Sequence, residues 1–160
     1  FALIKEPEEK LQELVRQHIK VRPGFVEFVR YCRGNGTPLV IVSSGLDFYI
    51  KTVLNEIGMP DLELHCGQTS FDKDGIAVTY YDPEGHIISE GFKKTYLTWV
   101  KKRGRNVIYI GDGLSDLEAT RQADHVLATG HLLRLLTAES AACSAFENFY
   151  DVVHQVHLLG

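Results

Sequence analysis

Cysteine is scarce in this sequence. Cys32, Cys66 and Cys143 are odd in number, far apart and free of any CxxC spacing. That excludes a disulfide framework and fits reduced thiols in a cytoplasmic protein. Long hydrophobic runs are missing too: nothing approaches the ~20 apolar residues of a membrane span, and no signal-peptide pattern opens the chain. Basic stripes are absent. The net charge of −4 is spread without runs, and Lys93-Lys94 and Lys101-Lys102-Arg103 are too small to displace counterions, so no nucleic-acid partner is expected. No GxGxxG follows a strand-like run, which counts against a dinucleotide site, and no GxSxG supports a serine hydrolase. Methionine occurs once, at Met59, whereas the chain opens on Phe1. Phe1 is therefore not read as a translation start, and the chain is expected to be the C-terminal part of a longer protein.

What is present is a core-forming pattern. With 160 residues and 44% apolar content, the chain can bury one good core. Pro7 followed by Leu11, Leu14, Val15 and Ile19 spells an amphipathic helix over about Glu8–His18, and Phe25, Phe28, Val29 and Cys32 repeat the spacing up to Gly34-Asn35-Gly36. Pro38–Val42 is a short apolar run, hence a buried strand, closed by Ser43-Ser44-Gly45. A helix follows Asp47 and ends at Gly58. From Asp61 to Ile88 the period changes to two, with turn signals at Lys73-Asp74-Gly75 and Asp82-Pro83-Glu84-Gly85, which predicts a small β-hairpin at a sheet edge. Helices are expected over about Lys94–Arg103, from His131, and around Phe149–Leu159, with strands at Val107–Ile110 and His125–Ala128. Strands alternating with helices define a doubly wound, Rossmann-like α/β sheet.

The densest signal is Val107-Ile108-Tyr109-Ile110-Gly111-Asp112-Gly113-Leu114-Ser115-Asp116. A buried strand stops at two glycines around an acid, and helix formers follow, with Ser115 or Asp116 placed as a cap. Asp112 and Asp116 thus stand where open α/β sheets hold ligands, one turn apart and able to face the same small volume. Two like charges so placed repel unless a cation intervenes. A hard divalent ion such as Mg2+ fits, with Asp112 as its ligand. Two further features precede this pair in the chain. Ser43 ends a strand, with the amides of Ser44 and Gly45 behind it to bind phosphate oxygens. Lys94, with Lys93 as second choice, opens a helix whose N-terminus favours anions. A serine, a lysine and paired carboxylates with a metal are the requirements of phosphoryl transfer.

In order and spacing the chain resembles the haloacid dehalogenase-like hydrolases, in their phosphoserine-phosphatase-like branch. The strand ending in a hydroxyl residue is Val40–Ser43, the lysine is Lys94, and the GDxxxD motif is Gly111–Asp116. The resemblance implies that Ser43 hydrogen-bonds the transferring phosphoryl group and that Lys94 neutralises it. It makes Asp112 a direct Mg2+ ligand, with Asp116 supporting the metal shell or the lysine. It also assigns residues 1–20 to the last helix of a mostly missing helical cap, and 21–160 to the core α/β domain. Arg22-Pro23-Gly24-Phe25, Ser44–Phe48 and Phe146–Asp151 resemble the subgroup containing the 2-hydroxy-3-keto-5-methylthiopentenyl-1-phosphate phosphatases of methionine salvage. Members of the family open on a strand followed by DxDxT, whose first Asp is the nucleophile. Nothing before Ser43 matches it, and Asp72-Lys73-Asp74-Gly75 reads as a hairpin turn.

The expected function is a Mg2+-dependent phosphatase acting on a small phosphorylated metabolite through a phospho-aspartyl intermediate, with this chain alone inactive for want of its nucleophile. The competing reading is a non-catalytic phosphate- or metal-binding domain. A response-regulator receiver would need an early acidic pair and a phospho-accepting Asp, and neither is visible. His154 and His157 lie three apart but lack further ligands, so they read as a solvated helix face. Trp99 and the tail aromatics read as packing residues.

Overall fold

The alternation of strand and helix is realised in two parallel ladders, as seen in a computed structural model that describes residues 4–73 and 75–159. In chain order the elements are α1 (Glu8–His18), α2 (Phe25–Gly34), β1 (Val40–Leu46), α3 (Asp47–Glu56), β2 (Glu63–Asp72), β3 (Gly75–Tyr81) and β4 (Ile87–Ile88). They continue with α4 (Phe92–Lys101), β5 (Ile108–Gly111), a 3-10 turn (Leu114–Asp116), α5 (Leu117–Thr120), β6 (His125–Ala128), α6 (Gly130–Ala138), β7 (Ser144–Ala145) and α7 (Phe149–Leu159). The chain divides into two compact units. One holds the chain up to Val21 together with Thr37–Ser89, and the other holds Arg22–Gly36 together with the chain from Glu90.

In the first unit the strand order is β1-β2-β3-β4. β1 and β2 pair in parallel, Val40 to Glu63 through Val42 to His65, and then the register breaks: the next pair is Leu46 with Gly67. Ser43, Ser44 and Gly45 are thereby opposed by Cys66 alone and bulge out of the ladder. β2 and β3 form the expected antiparallel hairpin, Gln68 opposite Thr79 through Asp72 opposite Gly75. Asp74, in the turn read between them, lies outside the described residues. Leu46, Leu54, Met59, Cys66 and Ile76 are buried, each large aliphatic contributing about 1.5–3 kcal/mol on leaving water. Helix α1 has no buried residue. It keeps an ion pair to α3, Arg16 Nε to Glu56 Oε1 at 3.1 Å.

In the second unit β5, β6 and β7 run parallel, with Ile108 opposite His125 and Gly111 opposite Ala128. Ala128, Leu132 and Leu136 form its core, with Leu117, Val126, Leu133 and Cys143 packed against them. Strand β7 is only Ser144–Ala145 and carries no alternation that the sequence could announce. Helices α2 and α7 meet through Phe149, whose ring lies 5.1 Å from that of Phe25 and 5.4 Å from that of Phe28. The Pro23 carbonyl accepts the Phe149 N–H at 2.8 Å. Gly24 is glycine for a reason: its φ is +83°, and a Cβ there would stand 2.7 Å from the Tyr150 backbone nitrogen. The two segments Arg22–Phe25 and Phe146–Asp151, far apart in sequence, are therefore one packing unit. No helix among the described residues is long and apolar enough to cross a membrane.

Candidate active site

A 3-10 turn, Leu114–Asp116, precedes α5, and Asp116 stands at the N-cap position of that helix, as one of the two expected cap residues, but makes no side-chain hydrogen bond to it. Asp116 instead reaches backward. Its Oδ2 accepts the N–H groups of Asp112 at 3.1 Å and Gly113 at 2.9 Å. Its Oδ1 accepts the Tyr109 hydroxyl at 2.7 Å and the Lys93 ammonium at 2.6 Å. The carboxylate lies across Gly111, where a Cβ would fall 2.9 Å from Asp116 Cγ. That explains the glycine on which β5 ends.

Asp116 is 3% exposed. Burial alone would raise its pKa. Hydrogen bonds from Lys93, the Gly113 amide and Tyr109, with the Lys93 charge, outweigh burial and hold it below the usual carboxylate range. Tyr109 is driven the other way, above the usual phenol range, by burial and by the adjacent Asp116 carboxylate. It is a fixed donor at neutral pH. With four donors on its two oxygens, Asp116 is a scaffold group that folds the Gly111–Gly113 backbone and fastens a lysine.

Asp112 is the opposite case. Its backbone is held on both sides, the N–H by Asp116 and the carbonyl by the Leu132 N–H at 3.0 Å. Its side chain projects outward, 68% exposed, with Arg22 Nη2 at 3.6 Å from Oδ2. Each carboxylate has a cation beside it, Lys93 for Asp116 and Arg22 for Asp112. Arg22 is itself placed by the Glu147 carbonyl at 2.9 Å and by the Phe146 ring, 5.5 Å from its guanidinium carbon. The chemistry at Asp112 fits a hard divalent cation: an exposed carboxylate carried on a backbone held at both its N–H and its carbonyl.

The lysine that meets Asp116 is Lys93, not Lys94. Helix α4 opens at Phe92 after Gly91, whose φ is +67°, and consecutive residues point about 100° apart. Lys93 then turns inward to Asp116, with Ser115 Oγ also 3.1 Å away, and its side chain is 14% exposed. Lys94 points outward to Glu118 at 3.4 Å and is 49% exposed.

In the first unit, Ser43 sits in the β1 bulge, half-buried, beside the exposed Ser44. The Gly45 N–H donates to Ser43 Oγ at 3.0 Å. Asp47, at the start of α3, closes the bulge: its Oδ1 accepts both the N–H and the hydroxyl of Thr69, at 3.1 and 2.5 Å. Its Oδ2 pairs with Lys51 at 3.1 Å. Burial opposes, and the Thr69 and Lys51 contacts exceed, so the Asp47 carboxyl lies below its ordinary range. Burial, with Asp47 nearby, pushes the Cys66 thiol up to about 11, so it is not a nucleophile at neutral pH.

Three participants escaped the sequence reading, the Tyr109 hydroxyl, Arg22 beside Asp112, and Thr69 on Asp47, while Lys93 was its second choice. A tyrosine inside an otherwise apolar strand was the one available signal, since a buried hydroxyl needs a partner. His154 and His157 lie on the exposed face of α7. Among the described residues the cluster able to gather three metal-ligand atoms is Asp82, Glu84 and His86, on the exposed hairpin. Asp82 there accepts the Glu84 and His86 amides, a turn contact that needs no ion.

Residues 1–121 match the family profile of the haloacid dehalogenase-like hydrolases. The chain belongs to that family, and its class is that of the phosphoric monoester hydrolases. It is similar to proteins named 2-hydroxy-3-keto-5-methylthiopentenyl-1-phosphate phosphatase. The one from Lysinibacillus sphaericus is 32% identical over 162 residues, covering 97% of this chain and 70% of its own. That from Exiguobacterium sibiricum is 29% identical over 153 residues, covering 92% and 69%, and that from Brevibacillus brevis is 30% identical, with this chain spanning 61% of its length. Among solved structures, a phosphoserine phosphatase in apo form superposes with a TM-score of 0.69 at 19% identity, covering 96% of this chain and 76% of that one. A phosphoserine phosphatase captured as a phospho-aspartyl intermediate analogue gives 0.69 at 18% identity, covering 96% and 72%. These likenesses establish the fold, an α/β fold of Rossmann type.

Proposed function

We propose that the full-length natural protein is a Mg2+-dependent phosphatase that hydrolyses a small phosphorylated metabolite through a phospho-aspartyl intermediate. The substrate class is the one its relatives are named for, 2-hydroxy-3-keto-5-methylthiopentenyl-1-phosphate, a small phosphomonoester of methionine salvage. The observation that carries this reading is the Asp116 knot. A buried carboxylate spends all its acceptor capacity on holding Lys93 and on folding the backbone that displays Asp112. A structural turn would not need a desolvated lysine; a site for a phosphoryl dianion would.

The roles follow from the chemistry of each group. The Ser43 hydroxyl and the Ser44 amide bind phosphoryl oxygens; the Gly45 N–H, expected to do the same, is spent on Ser43 Oγ at 3.0 Å and orients that hydroxyl instead. Lys93 is a fixed positive charge of the kind that offsets charge developing in phosphoryl transfer. Asp112 is the carboxylate that would hold Mg2+, a bound ion supplying charge neutralisation and alignment of the phosphoryl group. The nucleophile of this reading is the first Asp of a DxDxT motif, which the residues before Ser43 do not contain.

Turnover of p-nitrophenyl phosphate by the full-length natural protein tests this. Activity should require Mg2+ and vanish with EDTA. Asp112→Asn should abolish it with the melting temperature unchanged, because an exposed carboxylate is exchanged for an amide of equal volume. Calorimetry should find no Mg2+ binding in that variant. No turnover in the wild type, with phosphate and Mg2+ still bound, would favour a binding domain instead.

A further inference from the structure

The Ser43–Gly45 bulge carries a tether that these roles leave unexplained. Its source is Tyr80, on β3, two places away from β1 in the sheet order. To reach β1 the ring must pass over β2, and it does so at Gly67. A Cβ at that position would lie 3.0 Å from Tyr80 Cζ, 3.1 Å from Cε1 and 2.8 Å from Val78 Cγ1. Any larger residue would push the ring off its path. Across this gap the Tyr80 hydroxyl donates to the Ser44 carbonyl at 2.7 Å.

That carbonyl is half of a planar peptide whose other half is the Gly45 N–H. In a trans peptide the C=O and N–H point in opposite directions, so a donor fixing the oxygen also fixes the direction of the N–H. The Gly45 N–H in turn donates to Ser43 Oγ at 3.0 Å. With an acceptor site of that oxygen occupied by an amide, the Ser43 hydroxyl is turned so that its own hydrogen is donated elsewhere. Asp47 holds the exit of the same bulge to Thr69 of β2. The segment is thus gripped at both ends.

We propose that Tyr80 is a positioning residue: through the Ser44–Gly45 peptide it aims the Ser43 hydroxyl as a hydrogen-bond donor to a phosphoryl oxygen. The proposal rests on the phosphatase reading. Burial, with Cys66 adding, raises the Tyr80 phenol above its ordinary range, so it remains a protonated donor at working pH. The hairpin thereby has a task beyond extending the sheet, since it delivers a hydroxyl to the back of the phosphate-binding turn.

The test is a double-mutant cycle in the full-length protein with p-nitrophenyl phosphate and Mg2+. Tyr80→Phe keeps the ring over Gly67 and removes only the donor. It should lower kcat about five- to tenfold, the scale of one misaimed hydrogen bond, with KM changed less than about twofold. In a Ser43→Ala background the same substitution should have no further effect, because nothing is left to aim. An equal loss in both backgrounds, or no loss in either, would overturn the proposal, since a merely structural tyrosine acts independently of Ser43. Hydrogen exchange at the Gly45 amide gives a readout free of turnover. It should quicken about tenfold or more in Tyr80→Phe, while the β5 amides hold. Unchanged exchange would also overturn the tether. If the wild type hydrolyses nothing, the phosphatase reading fails and the tether is judged on exchange alone.

Discussion

Asp116→Asn isolates the centre of the second unit. The substitution preserves volume but replaces a four-acceptor carboxylate with one carbonyl oxygen and one NH2. If the oxygen faces Lys93 and Tyr109, the NH2 confronts the Asp112 and Gly113 amides, and two buried donors lose their partner. At about 1–3 kcal/mol for each buried group left unpaired, that orientation costs about 2–6 kcal/mol. If the amide flips, the NH2 faces the Lys93 ammonium and the Tyr109 hydroxyl. The hydroxyl can rotate to accept, and Lys93 keeps Ser115 Oγ at 3.1 Å, so this orientation is cheaper but forfeits the charge pair. The net expectation is a loss of about 2–4 kcal/mol. In a chain of this size that is a fall in melting temperature of roughly 5–15 °C. Urea unfolding of the full-length protein should show the loss in the midpoint with the slope unchanged. The acid limb gives a second check. Because the folded Asp116 pKa lies below the ordinary 3.8, its stabilisation is fully present above that value and is lost as pH falls through the folded one. The wild-type advantage over Asp116→Asn should therefore be constant above about pH 5 and shrink below about pH 4. A melting temperature within about 2 °C of wild type at pH 7 would refute the view that this carboxylate organises the turn.

Two other substitutions probe the same unit. Lys93→Ala strands the buried Asp116 carboxylate and should cost about 2–4 kcal/mol in urea unfolding and orders of magnitude in p-nitrophenyl phosphate turnover. Lys94→Ala removes an exposed pair and should change stability by less than about 0.5 kcal/mol and turnover less than about twofold; the reverse ranking would place Lys94 in the site. Gly24→Ala forces a left-handed φ and a contact with the Tyr150 backbone, so thermal unfolding should show a loss of at least about 2 kcal/mol, and a neutral result would mean that the Arg22–Phe25 and Phe146–Asp151 segments are not packed as described.

Periodicity alone determined most of the elements. The bounds of α1, β6 and α7 coincide with those in the folded chain, because the rhythm of apolar residues encodes which face of each helix or strand leaves water, and this is a local property. The order of the serine strand, the lysine helix and the GDxxxD turn likewise identified the family before any coordinates. Tertiary structure decided the rest, for reasons outside any local window. Whether Lys93 or Lys94 turns inward depends on where α4 begins, and one residue of offset rotates the choice by about 100°. Asp116 reads as a helix cap in sequence, yet in space it folds back on Gly111–Gly113, because Tyr109 and Lys93 converge on it from a strand and a distant helix. Two acids four residues apart each meet a base that their spacing does not announce, with Arg22 brought to Asp112 by packing against the C-terminal segment. The bulge at Ser43–Gly45 depends on register with β2, and its tether on a tyrosine crossing a glycine from another strand. Local patterns specify what each segment becomes. Partners separated by dozens of residues meet only once the chain has closed, and those meetings define the candidate site.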